Sequence, residues 1–307
     1  MRLDDFDPSE NVRDLGDGGG RGGFGGPSMG GLFGLLPLLL GRKMGCGTII
    51  LLGVLAFVFF SSGGLNLGGP TGGGSGVQEQ QQAGVGNAAC DTQAELFACR
   101  VLAATEQTWG RIFQQQGERY TPATLNFFTQ SGQSGCGAAQ SAMGPFYCPA
   151  DQGIYLDTDF FRELEQRFQA AGDFAQAYVI SHEVGHHIQT ITGISNQVRS
   201  AQQRASEAEG NALQVRMELQ ADCYAGVWAR NTVSPKTGAP VMEPGDLEEG
   251  LRAANAIGDD TLQRSAGQRP VPESFTHGTS EQRMRWLKRG YDTGDWKKCD
   301  TFAAQAL

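Results

Sequence analysis

Three of the four histidines in this chain fall within six residues, in Ser181-His182-Glu183-Val184-Gly185-His186-His187. On a helix, His182 and His186 lie one turn apart on one face. Both imidazoles can therefore reach a single ion at the roughly 2.0–2.1 Å of a zinc–nitrogen bond. Glu183 follows His182 by one residue, rotated by about 100°, so it stands beside such an ion rather than facing it. From there a carboxylate can take a proton from water held by the ion and hand it to a leaving amine. The pattern is the H-E-x-x-H of zinc proteases, and the chemistry needs those residue types at that spacing. The opposite helix side carries Ala177, Ile180, Val184, Ile188 and Ile191, one face for a core and one for a cleft. His187 points away from the ion, which suits a supporting or structural use.

A catalytic zinc takes three protein donors and keeps one position for water. The form H-E-x-x-H-x-x-G-x-x-H fails here, because Gln189 and Thr192 stand where Gly and His would be. A glutamate from a later helix is the other route. Glu218-Leu219-Gln220-Ala221-Asp222 places two carboxylates one turn apart, so Glu218 can bind the ion while Asp222 orients a ligand histidine. Glu207 and Glu209 compete, but neither has an acidic partner four residues on. The fourth histidine, His277, sits beside Gly278 at a helix start. A donor there can hydrogen-bond the oxyanion formed when water attacks a carbonyl; a surface histidine is the alternative.

The elements that must position these groups can be read around them. A helix over residues 173–192, capped by Asp173 and ended by Gly193, carries the histidines, and a long polar helix over 195–230 carries Glu218 and Asp222. Helices are also expected over 91–116, 159–170, 246–257 and 280–289, with short strands at 125–129 and 153–156 and a loop at 231–245. The strand at 153–156 is expected near the cleft, where an extended substrate could add alongside. The fold class is α+β, mainly α, with a small sheet.

Residues 44–62 form an uncharged run long enough to cross a bilayer as one helix. Arg42 and Lys43 precede it and no charge follows until Glu79, which places the N-terminus in the cytoplasm and the rest in the periplasm or outside the cell. Residues 1–43 are Gly-rich and expected to be disordered, 63–89 form a flexible linker, and 90–307 form the exported domain. Cleavage after the run is the alternative to a lasting anchor. Six of the seven cysteines follow the run, as suits an oxidising compartment, while Cys46 lies within it as a free thiol. Cys136 with Cys148 is the favoured pair. A helix starting at Asp91 would hold Cys90 and Cys99 about 13 Å apart, too far for a bridge.

Residues 90–307 carry 19 basic and 26 acidic groups, which excludes the basic footprint of a general nucleic-acid binder. Two function classes remain. One is a peptidase acting on peptide or protein substrates; the other is a membrane-tethered binding or scaffold protein that keeps zinc for stability or has lost turnover. Glu183 favours the first, because a structural zinc needs no base and usually has four protein ligands.

The chain resembles the bacterial neutral zinc metallopeptidases, membrane-anchored gluzincins. The likeness rests on Gly135-Cys136-Gly137, Gly144 to Pro149 with Tyr155-Leu156-Asp157, the block from Ser181 to His187, Glu218 to Asp222, and Thr276 to Arg283 with the closing residues 294–302. It extends over the whole chain, including the Gly-rich head. The resemblance implies a zincin-like domain in which His182, His186 and Glu218 bind Zn2+ and Glu183 is the base. Similarity to other gluzincins implies that Asp222 supports a ligand histidine and His277 donates to the transition state.

Overall fold

The structure is a computed structural model that describes residues 1–17 and 86–307. Four strands form one mixed sheet in the order β1 (Val12–Asp17), β2 (Thr124–Thr129), β6 (Gly153–Leu156) and β5 (Phe146–Cys148). β1 and β6 flank β2 in parallel, and β5 closes the sheet antiparallel to β6. A separate hairpin joins β3 (Ser131–Ser134) to β4 (Gly137–Gln140). The expected strand at 153–156 is therefore interior and buried at every residue. It has no free edge for a substrate, and the open edge on that side belongs to β5.

The helices are α1 (Gln93–Gln115), α2 (Asp159–Gln166), α3 (Asp173–Ile191), α4 (Ile194–Gln202), α5 (Glu207–Asn231), α6 (Asp246–Ala256), α7 (Asp259–Ser265) and α8 (Ser280–Thr293). The long polar helix expected over 195–230 is two helices. Ser206 caps α5 by accepting the Glu209 amide while Glu209 reaches back to the Ser206 amide, so a new helix starts there. From Met217 to Ala229 every residue of α5 is buried. Its polar members Glu218, Gln220 and Asp222 must therefore find partners inside the protein.

Two close crossings set α5 in place. A Cβ on Gly185 of α3 would lie 2.9 Å from the Ala221 Cα, so the glycine inside the histidine motif lets α3 approach α5 at backbone distance. On the other side, Gly226 of α5 and Gly290 of α8 leave no room for a Cβ against Leu287 and Cys223 respectively. Trp109, Tyr178, Tyr224, Trp228 and Trp286 fill the core around these crossings.

Residues 1–17 do not fit the disordered segment expected from composition. They form one compact unit with residues 86–307: Leu3, Phe6 and Val12 are buried, β1 pairs with β2, and Ser9 and Asn11 both donate to Glu106. Cys90 and Cys99 are also joined, at a Cα–Cα distance of 6.4 Å. The helix begins at Gln93 behind the N-cap Thr92, so Cys90 lies outside it and can fold back toward Cys99. Cys136–Cys148 and Cys223–Cys299 complete the set. The run 44–62, Cys46 and residues 63–85 of the expected linker lie outside the described residues, while its last four, Gly86–Ala89, form a 3-10 turn. Among the described residues no helix is long and apolar enough to cross a membrane.

Candidate metal centre

Glu218 Oε2 lies 3.1 Å from His182 Nε2 and 3.4 Å from His186 Nε2, so the three groups expected to share an ion converge. Donors bound tetrahedrally at about 2.0–2.1 Å stand about 3.3–3.4 Å apart, so this spacing fits zinc. The two imidazole rings are 4.8 Å apart with planes at 89°, and both Nε2 atoms lie within 3.4 Å of the same Glu218 oxygen. Gln214 Nε2 donates to Glu218 Oε1 at 2.8 Å, which turns Oε2 toward the histidines. Three protein donors leave a fourth corner for a small ligand. Glu207 and Glu209, the competing acids, sit exposed at the first turn of α5, where Glu209 serves the cap.

Behind His182 stands a buried polar cluster. His182 Nδ1–H donates to Asp222 Oδ1 at 2.8 Å, which leaves Nε2 free as the metal-facing atom. Asp222 also accepts from Tyr178 Oη at 2.6 Å and from both Nε and Nη2 of Arg283 at 2.9 Å. Burial disfavours the Asp222 charge, but Arg283 and then His182 outweigh it and hold its carboxyl far below the usual range. Burial likewise opposes the His182 cation, yet Asp222 and Glu218 push its pKa up to about 10.

Glu183 is buried beside these groups, and burial raises its pKa against the opposing pull of the His186 and His182 charges. Among the described residues no hydrogen bond or ion pair engages its carboxylate. Both oxygens are available to a water.

His187 does not join the cluster. Its Nε2–H donates to the Thr121 carbonyl at 2.6 Å and its Nδ1 accepts from Tyr147 Oη at 3.1 Å. Burial, opposed only by the Thr121 carbonyl, lowers its pKa and keeps it neutral. It ties α3 to β5. His277 is half-exposed in the turn before α8, and a Cβ on the adjacent Gly278 would lie 3.3 Å from Val215 and Leu219, which bracket Glu218. Asp259 organises this turn: it accepts the backbone amides of Thr276, His277 and Gly278, and its Oδ1 lies 3.3 Å from His277 Nδ1. A second acidic trio, Asp173, Asp246 and Glu249, lies elsewhere, with the Met1 amine 2.6 Å from Asp173.

Gln214, Arg283, Tyr178 and Asp259 were not singled out by sequence reasoning. Tyr178 had a usable signal, being four residues before His182 and thus on its face. Arg283 had only its place in the block that carries the family likeness.

The chain matches, over residues 1–302, the model of the family described as "Putative neutral zinc metallopeptidase". It is 46% identical over 304 residues to the uncharacterized protein YpfJ of Escherichia coli (strain K12), covering 98% of this chain and 99% of that relative. It is 43% identical over 228 residues to the uncharacterized protein Rv2575 of Mycobacterium tuberculosis (strain ATCC 25618 / H37Rv), covering 71% of this chain and 76% of that one. The chain belongs to this neutral zinc metallopeptidase family. No solved structure matches it.

Proposed function

We propose that this protein is a zinc-dependent peptidase that hydrolyses peptide bonds, with His182, His186 and Glu218 holding the ion and Glu183 as the base. The observation that carries the reading is the convergence of those three donors beside an unengaged, buried carboxylate. Zinc, when bound, supplies Lewis acidity that polarises a carbonyl and acidifies water. Glu183 takes the proton of the attacking water and delivers it to the leaving nitrogen. His277, held by Asp259, donates to the oxyanion. An extended peptide lies along the open edge of β5, which His187 and Tyr147 fasten to α3.

Purified full-length protein is expected to cleave unfolded casein, to stop on chelation and to recover with added zinc. His182→Ala should lose the metal. Absence of chelator-sensitive cleavage by protein that binds zinc would overturn the peptidase reading in favour of a scaffold.

The His277 pKa is lowered by burial but raised more by Asp259 and Glu218. Because the folded-state pKa is raised, the cation and the stability it brings are fully present below the unfolded value and lost as pH rises through the folded one. Asp259→Asn is expected to move the alkaline limb of the kcat/KM profile to lower pH, whereas an unmoved limb would remove His277 from catalysis.

Three disulfides support an exported location, with the run 44–62 as the part that meets the bilayer. Residues 1–17 form one unit with 86–307, which supports placing both on the same side of the membrane. The N-terminus is then exported with the rest, in place of a position in the cytoplasm. In a Cys46→Ser background, Arg13→Cys on the exposed side of β1 is expected to react with an impermeant maleimide in cells whose outer barrier has been opened. Protection of that thiol until lysis would restore the single-crossing topology.

A further inference from the structure

Gln189, the residue that breaks the three-histidine form of the motif, is buried one turn beyond His186. Its Nε2 lies 2.7 Å from the Met217 carbonyl oxygen, a group that can only accept, so the amide nitrogen must face that way. Oε1 is therefore turned toward His186 Nδ1, 2.9 Å away. An oxygen there accepts a proton from Nδ1, which leaves the Nε2 lone pair facing Glu218. The same amide nitrogen donates to Gln220 Oε1 at 3.1 Å, and Gln220 Nε2 donates to the Cys299 carbonyl at 3.1 Å. Each amide in this chain has one orientation, fixed by a backbone carbonyl at Met217 and another at Cys299, whose side chain is bonded to Cys223.

We infer that Gln189 is a positioning residue: it sets the His186 tautomer that presents Nε2 to the metal and fixes α3 against α5 next to Glu218. The inference rests on the metal reading above. His182 obtains the same tautomer from the carboxylate of Asp222, but a second carboxylate behind His186 would add an uncompensated charge. A neutral amide performs the task without one, and its spare N–H groups anchor it to the helix that carries Glu218.

The test uses the full-length protein with zinc titrated against a chromophoric chelator. It also uses 15N NMR of the metal-free imidazoles at a pH where both rings are neutral. Gln189→Leu is expected to weaken zinc binding about 10–100-fold, the usual effect of removing such a support, and to shift His186 from the Nδ1–H toward the Nε2–H form. Gln189→Glu keeps an oxygen facing Nδ1 but gives up the Met217 and Gln220 contacts, so it should keep the proton on His186 Nδ1 even where affinity falls. Gln220→Leu leaves the His186 contact in place and should keep the Nδ1–H form and most of the affinity; loss of that form would overturn the inference even if Gln189→Leu fails to fold. Wild-type affinity and tautomer in Gln189→Leu would overturn the inference, as would a His186 in Gln189→Glu that has lost the proton from Nδ1. Failure of the wild type itself to bind zinc would instead refute the metal reading.

Discussion

Glu183→Gln is expected to lower kcat/KM by about 10²–10⁴-fold, the range a positioned proton acceptor contributes, while zinc content stays at the wild-type level. Glutamine has the shape of glutamate but can neither take the proton of an attacking water nor return it to the leaving nitrogen. The environment makes the distinction sharp. Glu183 is buried, burial raises its pKa, and among the described residues no hydrogen bond or ion pair ties its carboxylate down. Its removal therefore breaks no structural contact that could lower activity by another route. Glu218→Gln is the contrast, because Glu218 lies within 3.4 Å of both histidine Nε2 atoms and its loss should empty the site of metal. Steady-state kinetics on a casein-derived peptide, paired with metal analysis of each variant, separates the two. A Glu183→Gln enzyme that keeps its rate would remove this residue from the role of base.

The parts of this site legible in the sequence are those carried by local helical spacing. His182 and His186 share a face because they are four apart, and so do Glu218 and Asp222; each pair needed only one helix. Even the breaking of the long helix at Ser206 did not disturb them, since both acids fall within α5. Illegible parts depend on how elements meet. Arg283 reaches Asp222 from another helix, brought near by the tight crossing at Gly226 and Gly290. A three-residue strand such as β5 is too short for alternation to show, so sequence alone leaves its neighbour β6 looking like the open sheet edge. In residues 1–17 the few buried apolar groups, among them Leu3, Phe6 and Val12, are diluted in composition by the glycines that follow, which hides their place in the core. A helix that starts at Asp91 excludes the Cys90–Cys99 bridge; the actual start at Gln93, with Thr92 as the cap, allows it.

Replacing Arg283 by methionine should cost about 3–5 kcal/mol, the penalty of leaving a buried charge without its partner. That is a large share of the roughly 5–15 kcal/mol by which domains are stable. At about 2–4 °C per kcal/mol for a domain of this size, Tm should fall by about 6–20 °C. The geometry gives the reason. Arg283 is 3% exposed and sends two guanidinium nitrogens to the two oxygens of Asp222, which is itself fully buried. Asp222 in the wild type has a lowered pKa, so its stabilising charge is present above the unfolded carboxyl value and lost only in strong acid. Without the guanidinium, the Asp222 pKa should rise. A raised folded-state value reverses the sign: the variant gains stability relative to wild type as falling pH protonates the carboxyl. The gap in Tm between the two proteins should thus be widest near neutral pH and narrow on acidification. Asp222→Asn combined with Arg283→Met removes both charges and should recover part of the loss, while Asn Oδ1 can still accept from His182. A gap that is small, or that does not change with pH, would mean that Arg283 does not compensate Asp222. His182 alone would then have to neutralise the acid behind the metal centre.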